Sequence, residues 1–299
     1  MKSFRIGHFT NEKGGTGCTV VLCPEGTKAS AHARGVAPGT REFALLSPFR
    51  KVEQVDAVFL GGGSAFGLDA AAGVMRYLQE QGRGYFTPFG KIPIVPAAVI
   101  YDLYSVDSTA FPTAENAYQA CKSVRSGNNE QGSIGAGTGA TVGKWAGLEY
   151  MMSGGIGRAR VEFDRILVDV LAVVNPVGDV VDRNGKILAG AQQNGKFLAQ
   201  QDPTVRWKPP EVGFGENTVL VVVMTNANFS KLQLNYLAER AHNGIVRAVI
   251  PAHTSYDGDI VFALGTSEVE AELDLVTEMS VEAVRQAVVR GVIVAGNKS

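Results

Sequence analysis

The stretch that decides the fold is Asn217-Thr218-Val219-Leu220-Val221-Val222-Val223-Met224, where a polar pair opens a run of six apolar residues. Consecutive apolar residues predict a β-strand that is covered on both faces, because alternate side chains of a strand point to opposite sides of the sheet. The region between Asn194 and Asn217 predicts an exposed loop, since it holds the turn-forming residues Pro203, Pro209, Pro210, Gly213 and Gly215. The Asn217–Thr218 pair therefore lies at a loop-to-strand junction.

Short apolar runs recur along the rest of the chain and predict further covered strands. They lie at Thr19–Leu22, Ala57–Leu60, Ile92–Val95, Ile166–Val174 and Ile260–Leu264. Helical periodicity predicts three amphipathic helices: one after Ser64 that ends at Gly82, one from the N-cap Ser230 to Arg247, and one over Val281–Val294. Sheets covered by helices give an α/β (α+β) fold. No repeat or linker divides the sequence, so a single domain over residues 1–299 is expected.

Composition narrows the class of protein. Of the 299 residues, 45% are hydrophobic and 19% charged, which is enough to bury a sizeable core. The 28 basic and 29 acidic residues leave no charge excess for nucleic acid or an anionic membrane. The three cysteines have no metal-ligand spacing and are expected to be reduced. With neither a signal peptide nor an apolar stretch long enough to span a bilayer, a cytoplasmic protein without metal or cofactor is expected.

Two glycine-rich segments invite a nucleotide-binding interpretation that their residues do not support. In residues 13–19, Cys18 stands where a phosphate-binding loop needs its lysine. In residues 61–67, the third glycine of a dinucleotide fingerprint falls at Phe66. Both segments therefore predict tight turns. The four histidines show no metal-ligand spacing and are expected to be packing or surface residues.

The Asn217–Thr218 junction suits an N-to-O acyl shift. The Thr218 hydroxyl can attack the carbonyl of Asn217, and hydrolysis of the resulting ester would expose Thr218 as a new N-terminus. Its α-amine, with an ordinary pKa of ~7.7–8.0, can then act as the base for its own hydroxyl. The dipeptide alone is also compatible with an ordinary threonine that opens a strand.

The wider sequence resembles the DmpA family of N-terminal-nucleophile hydrolases. This family holds L-aminopeptidase/D-Ala-esterases, β-peptidyl aminopeptidases and 6-aminohexanoate-oligomer (nylon oligomer) hydrolases. The matching segments lie in order along nearly the whole chain, at residues 6–8, 15–20, 34–35, 37–42, 62–70, 95–98, 135–144, 175–179 and 253–259.

The resemblance implies an αββα sandwich and self-cleavage into an α chain, residues 1–217, and a β chain, residues 218–299. It also implies a homo-oligomer, a tetramer of such αβ pairs. Thr218 matches the nucleophile of the family. The Asn217–Thr218 junction is similar to that of the nylon oligomer hydrolases, whereas the DmpA-like aminopeptidases carry a serine behind a glycine.

Two further residues fall where the nylon oligomer hydrolases carry a site lysine and a site asparagine. Lys144 would orient or deprotonate the Thr218 hydroxyl, or polarise the Asn217 carbonyl; on composition alone it is equally a surface lysine in a glycine loop. Asn175 carries an amide N–H₂ suited to an oxyanion hole. Without the resemblance, Asn175 is a turn residue before Pro176.

Asp257 and Asp259 match the paired aspartates of the same hydrolases. Two carboxylates at positions i and i+2 entering a strand point to the same side of it. They could hold the amine and hydroxyl of Thr218 or bind a substrate ammonium. The alternatives are a solvated turn or a weak cation loop, and the lack of further acidic ligands argues against a metal.

These features together predict a threonine-dependent amidohydrolase for short peptides or ω-amino-acid oligomer amides. An acyltransferase of the ornithine-acetyltransferase type is the first alternative, because it would use the same acyl-enzyme with an amine as acceptor. A non-catalytic protein that binds small molecules is the alternative from another class.

Overall fold

The computed structural model describes residues 2–207 and 217–296. Eleven strands in these ranges form two large sheets: β1 (Arg5–Asn11), β2 (Thr16–Leu22), β3 (Lys28–Ala33), β4 (Gly39–Arg41), β5 (Ala57–Gly61), β6 (Ala97–Val99), β7 (Arg125–Ser126), β8 (Gly155–Phe163), β9 (Ile166–Asn175), β10 (Thr218–Ala227) and β11 (Ile260–Val269). Four longer helices pack on them: α1 (Ala71–Glu80), α2 (Ala114–Lys122), α3 (Lys231–Val246) and α4 (Leu273–Gly296).

Smaller elements fill the connections between these strands and helices. The short strand pairs are Tyr85–Thr87 with Gly90–Ile92, Thr141–Val142 with Met152–Ser153, and Gln192–Gln193 with Lys196–Phe197. A small three-stranded sheet joins Asp179–Val181 to Ile187–Ala189 and Val249–Ile250. Single helical turns lie at Phe43–Leu46, Ser64–Gly67, Leu68–Ala70, Gly135–Gly137, Lys144–Ala146, Leu148–Tyr150 and Pro203–Trp207.

The strand order places the predicted junction strand inside a sheet. The first sheet runs β4-β6-β5-β2-β1-β7 and the second runs β8-β9-β10-β11-β3. Neighbouring strands are antiparallel except for the parallel pairs β5–β6 and β10–β11. Thr218 opens β10 and pairs with Asn175, the last residue of β9. The ends of two central strands therefore meet at the junction.

The two sheets face each other between two layers of helices. The buried residues Leu220, Val222 and Met224 of β10 pack in the cluster between the sheets. The alternating residues Val219, Val221 and Val223 pack in the cluster that includes α3 and α4. A third cluster joins the first sheet to α1 and α2. This confirms the αββα sandwich and explains why β10 is apolar on both faces.

The predicted helices are present, but the first is a regular α-helix only over Ala71–Glu80, after two short helical turns, and the last is longer than its periodicity indicated. Ser230 caps α3 in a reciprocal capping box with Gln233. Helix α4 begins at Leu273 instead of Val281. Its first turns hold Thr277 and Ser280, whose hydroxyls donate to main-chain carbonyls four residues back, so these polar residues are satisfied within the helix. No helix of the described ranges is long and apolar enough to cross a membrane.

The prediction of a strand over Ile92–Val95 was wrong. Only Ile92 is in a strand, the exposed edge of a hairpin, and the next large-sheet strand begins at Ala97. Pro93 and Pro96 are the physical reason, because neither has the N–H that a sheet ladder requires.

The segment after Asn194 is only partly the exposed loop that its composition predicted. Arg206, in the turn Pro203–Trp207, donates to the buried carboxylate of Asp179 at 2.7 Å, and the pair is almost completely covered. Pro209, Pro210, Gly213 and Gly215 lie outside the described residues.

Candidate active site

The Asn217–Thr218 junction is buried and its backbone is held by the loop that precedes β11. Asn217 forms a parallel bridge with Asp257, and its N–H donates to the Tyr256 carbonyl at 2.8 Å. The carbonyl oxygen of Asn217 accepts the Gly258 N–H at 2.6 Å. Thr218 is 2% exposed. The peptide bond between Asn217 and Thr218 thus has a hydrogen-bond donor aimed at its carbonyl oxygen.

Gly258 also lies next to the side chain of Thr218. A Cβ atom built on Gly258 would lie 3.0 Å from Thr218 Oγ1 and 2.4 Å from the carbonyl oxygen of Ala37. Residue 258 therefore has to be glycine for its backbone to approach this closely.

Asn175 is fully buried beside Thr218 and is the last residue of β9, so the alternative of a turn residue before Pro176 was wrong. Its side-chain oxygen accepts three hydrogen bonds, from Thr141 N at 3.0 Å, Lys144 Nζ at 2.9 Å and Tyr104 Oη at 3.2 Å. The amide nitrogen donates to the Tyr101 carbonyl at 3.3 Å. Three donors on one atom fix the orientation of the amide.

Lys144 is also fully buried, so the alternative of a surface lysine was wrong. Its Nζ contacts four oxygens: Thr141 O at 2.7 Å, Thr141 Oγ1 at 3.1 Å, Asn175 Oδ1 at 2.9 Å and Asn175 O at 3.2 Å. Burial lowers the pKa of Lys144 well below its ordinary value, and the charge of Asp257 partly opposes this. A lysine with a lowered pKa gives up its proton more readily than an exposed lysine.

Asp257 is buried against the loop 253–257, not solvated. Oδ2 accepts Thr254 N at 2.8 Å and Thr254 Oγ1 at 2.7 Å, and Oδ1 accepts Val177 N at 3.3 Å. Burial raises the pKa of Asp257, the nearby charge of Asp259 raises it further, and these hydrogen bonds oppose both effects.

Asp259 is held in a different way, by one donor on each oxygen. Val219 N–H donates to Oδ1 at 2.7 Å, and His253 Nδ1 lies 2.7 Å from Oδ2. Asp259 is 1% exposed, so the alternative of a solvated turn was wrong for both aspartates. Among the described residues, no group of three or more His, Cys, Asp or Glu side chains could hold a metal ion.

The structure thus places the predicted residues around the Asn217–Thr218 junction, on two sides of it. Asn175 and Lys144 contact each other on the β9 side, and Asp257 and Asp259 contact the backbone of residues 177 and 219 on the β11 side.

Sequence reasoning missed four parts of this arrangement: Tyr104, Thr141, the Gly258 N–H and His253. The Tyr104 hydroxyl bonds Thr141 Oγ1 at 2.9 Å as well as Asn175 Oδ1, and burial raises the Tyr104 pKa above its ordinary value, so the phenol keeps its proton. Thr141 and Gly258 lie inside segments that carry the resemblance. Tyr104 had no local signal, because it lies 71 residues from Asn175 in the chain.

The glycine-rich segments enclose a buried carboxylate. Asp102 accepts Thr16 Oγ1 at 2.8 Å and Gly63 N–H at 2.6 Å. A Cβ on Gly62 would lie 2.1 Å from Asp102 Oδ2, and one on Gly139 would lie 2.8 Å from it. We call these five residues the Asp102 cradle. A carboxylate at its centre would repel a phosphate, which agrees with the tight turns predicted for residues 13–19 and 61–67.

Comparison with known proteins identifies the family. The model of peptidase family S58 matches residues 1–298. An uncharacterized aminopeptidase of Mycobacterium leprae is 41% identical over 271 residues, which cover 85% of this chain and 72% of the relative. The 6-aminohexanoate-oligomer endohydrolase of Kocuria sp. is 34% identical over 273 residues, 89% of this chain and 73% of the relative.

A solved structure shares the fold. The L-aminopeptidase D-Ala-esterase/amidase from Ochrobactrum anthropi, described as a new variant among the Ntn hydrolase fold, superposes with a TM-score of 0.72 and 20% identity over 99% of this chain and 85% of that chain. The αββα architecture, the family match and the similarity of the relatives agree with one another. The chain therefore belongs to peptidase family S58 and is a hydrolase of amide bonds.

Proposed function

We propose that the protein cleaves its own chain between Asn217 and Thr218 and then acts as an amidohydrolase with Thr218 as its nucleophile. The observation that carries this proposal is the hydrogen bond of 2.6 Å from Gly258 N–H to the carbonyl oxygen of Asn217. Attack by the Thr218 hydroxyl would place negative charge on this oxygen. A backbone donor already directed at the oxygen stabilises that charge without rearrangement.

Self-cleavage would proceed in two balanced steps. The Thr218 oxygen adds to the carbonyl carbon of Asn217, its proton passes to a base, and the C–N bond breaks as the Thr218 nitrogen takes up a proton. Water then hydrolyses the ester, which leaves a carboxylate on Asn217 and restores the Thr218 hydroxyl. Lys144 is the candidate base, because burial lowers its pKa and Asn175, its partner, pairs with Thr218 across the strands.

The mature enzyme would reuse the same groups on a substrate amide. The freed α-amine of Thr218 would act as the general base for its hydroxyl. Once the Asn217 carboxylate moves away, Gly258 N–H becomes available to the substrate carbonyl. The second amide hydrogen of Asn175, beyond the one directed at Tyr101, would complete the oxyanion hole.

Short peptides or ω-amino-acid oligomer amides are the proposed substrates. Two observations support this class: the similarity to the 6-aminohexanoate-oligomer endohydrolase and the paired carboxylates of Asp257 and Asp259 next to the junction. Because Asp257 and Asp259 are 0% and 1% exposed, the pair would hold the ammonium form of Thr218, against which the amide of such a substrate would have to be placed.

Intact mass spectrometry of the purified protein tests the processing. We expect two associated pieces, residues 1–217 and 218–299, together with hydrolysis of 6-aminohexanoate oligomers or short peptides. A single full-length chain after long incubation, with no hydrolysis of either substrate, would contradict the proposal. Adding amines to the same assay separates hydrolysis from acyl transfer, because a transferase would yield the new amide.

We also propose that several αβ pairs assemble into a homo-oligomer. The hairpin of Tyr85–Thr87 and Gly90–Ile92 supports this, since Phe86 is 76% exposed and Phe89 is 100% exposed. Exposed apolar side chains in a cluster are typical of protein–protein contacts. Light scattering of the purified protein measures the assembly, and a mass equal to one chain or one αβ pair would contradict it.

A further inference from the structure

We infer that His253 is a positioning residue, which holds the carboxylate of Asp259 against the start of β10 and acts on Thr218 only through it. This inference rests on the proposed function of Thr218. It assigns a role to a histidine that sequence reasoning left among the packing or surface residues.

The contacts of Asp259 carry the inference. One carboxylate oxygen accepts the main-chain N–H of Val219, the residue after the nucleophile, and the other oxygen lies 2.7 Å from His253 Nδ1. A carboxylate oxygen only accepts hydrogen bonds, so Nδ1 is the nitrogen that carries the proton. The side chains of His253 and Asp259 are 12% and 1% exposed, which keeps water from competing for this bond.

The imidazole is itself fixed by two other histidines. The His253 ring packs edge-on against His242, with 5.0 Å between the ring centroids, and His242 packs in the same way against His32 at 5.4 Å. His242 Nε2 bonds the main-chain carbonyl of His32 at 3.0 Å, which ties α3 to β3. The ring that holds Asp259 therefore packs against a histidine of α3 that is itself bonded to β3.

The backbone of His253 supports a specific role. Its φ is +55°, in the left-handed region that few residues other than glycine adopt, histidine being one of the more frequent exceptions. Such a conformation persists where the surrounding structure requires it. Here the left-handed turn directs the ring at Asp259.

Among the described residues, the polar contact that the His253 ring makes near the junction is the hydrogen bond with Asp259. In the described part of the chain, His253 Nε2 has no hydrogen-bond partner, and no hydrogen bond joins the ring to Thr218. The effect of His253 on catalysis must then pass through the orientation of the Asp259 carboxylate.

A pair of substitutions separates the donor from the backbone conformation. Both His253→Asn and His253→Gly tolerate a positive φ, but only asparagine supplies an N–H close to the position of Nδ1. We expect His253→Asn to retain self-cleavage and turnover within a few-fold of the wild-type protein. His253→Gly should lower the rate of self-cleavage and the kcat of the processed enzyme by ~10–10²-fold with little change in KM, the usual effect of losing a hydrogen bond to a charged group.

A double-mutant cycle tests whether the effect passes through Asp259. In an Asp259→Asn background, His253→Gly should cause no further loss, because the carboxylate that it positions is already gone. Equal losses in the Asn and Gly variants, or wild-type rates in the Gly variant, would overturn the inference. An additive loss in the cycle would overturn it as well.

Hydrogen exchange of the Val219 amide gives a readout that needs no activity. We expect faster exchange in folded His253→Gly and near wild-type exchange in His253→Asn, because a loosened carboxylate protects this amide less. Unchanged exchange in the Gly variant would overturn the positioning role. A wild-type protein that neither cleaves itself nor hydrolyses amides would instead overturn the proposed function, and the exchange data would still decide the role of His253.

Discussion

The Asn217–Thr218 junction and the Asp102 cradle are two buried polar regions that differ in what surrounds the carboxylate. In the cradle, burial raises the pKa of Asp102 to about 6, and its partners Gly63 N–H and Thr16 hydroxyl oppose that rise. At the junction, burial also raises the pKa of Asp257, but a second carboxylate, Asp259, raises it further. Within the described residues of these two regions, only the junction directs a backbone donor, Gly258 N–H, at the carbonyl oxygen of the peptide bond that precedes the candidate nucleophile Thr218.

The difference shows that burial of a carboxylate is a poor indicator of a reactive site. Asp102 has a donor on each oxygen, which is the condition of a structural residue. At the junction, by contrast, two like charges lie near a carbonyl that the Thr218 hydroxyl could attack, and this combination is typical of an active site.

The largest expected effect is at the junction itself. Thr218→Ala should abolish both self-cleavage and amide hydrolysis, because the variant has no hydroxyl at the position of attack. Thr218→Ser, which keeps a hydroxyl, should retain measurable cleavage. Mass spectrometry follows the processing, and circular dichroism confirms that both variants are folded. Cleavage of Thr218→Ala at the normal rate would remove this residue from the mechanism.

The next effect in size concerns Asn175. Asn175→Ala should slow turnover by ~10²–10³-fold, the usual loss for one oxyanion donor. It should also lower thermal stability, because Thr141 N–H, Tyr104 and Lys144 lose their common acceptor. Asn128→Ala is the control, since Asn128 is a buried asparagine elsewhere in the fold. We expect that variant to lose stability but to keep its turnover, and equal turnover in both folded variants would contradict the role of Asn175.

A pair of glycine substitutions sharpens the comparison between the two regions. Gly258→Ala would place a Cβ 2.4 Å from Ala37 O and 3.0 Å from Thr218 Oγ1, whereas Gly62→Ala would place one 2.1 Å from Asp102 Oδ2. Both changes overpack a tight site and should destabilise the fold by about 1–3 kcal/mol. Only Gly258→Ala should slow self-cleavage of the folded protein. Denaturant melts and processing rates measure the two effects, and similar processing rates in both variants would erase the distinction.

The smallest expected effect is the pH dependence of the stability that the Asp102 cradle contributes to the fold. Burial raises the pKa of Asp102 from 3.8 to about 6, so the stability that it contributes is complete below pH 3.8 and is lost as the pH rises through 6. Asp102→Asn, which has no charge to bury, should therefore gain stability relative to the wild-type protein between pH 4 and 7, by about 1–3 kcal/mol.

Measuring the Asp102 variant against the wild-type protein cancels a second pH dependence of stability, which has the opposite sign. Burial lowers the pKa of His8 to about 4 and that of His242 to about 3, so these two histidines make the whole protein more stable as the pH rises from acid towards 6.5. Asp69→Asn, at an exposed position, is the matched control. A difference in unfolding free energy that stays constant with pH in the Asp102 variant would show that its carboxylate is not the cause.

Local patterns were sufficient to predict the strands at Thr218 and Ile166 and the Ser230 cap, because each depends on neighbouring residues. The resemblance supplied Lys144, Asn175, Asp257 and Asp259, whose burial no local pattern could show. Contacts between distant segments were missed. Tyr104 reaches Asn175 over 71 residues, and Asp102 reaches Thr16 over 86. Such pairs depend on the packing of the two sheets, which is fixed only when the chain is folded.

The strand order β8-β9-β10-β11-β3 has a consequence for the lifetime of a cleaved molecule. The two strands that follow the junction lie between strands that precede it, so a chain cut at Asn217 would be joined to its partner piece along two seams of the same sheet. Neither piece could dissociate without opening the shared core. The half-life of the two-chain molecule would then follow the rate of global unfolding, and dilution or exchange with free pieces would have no effect on it.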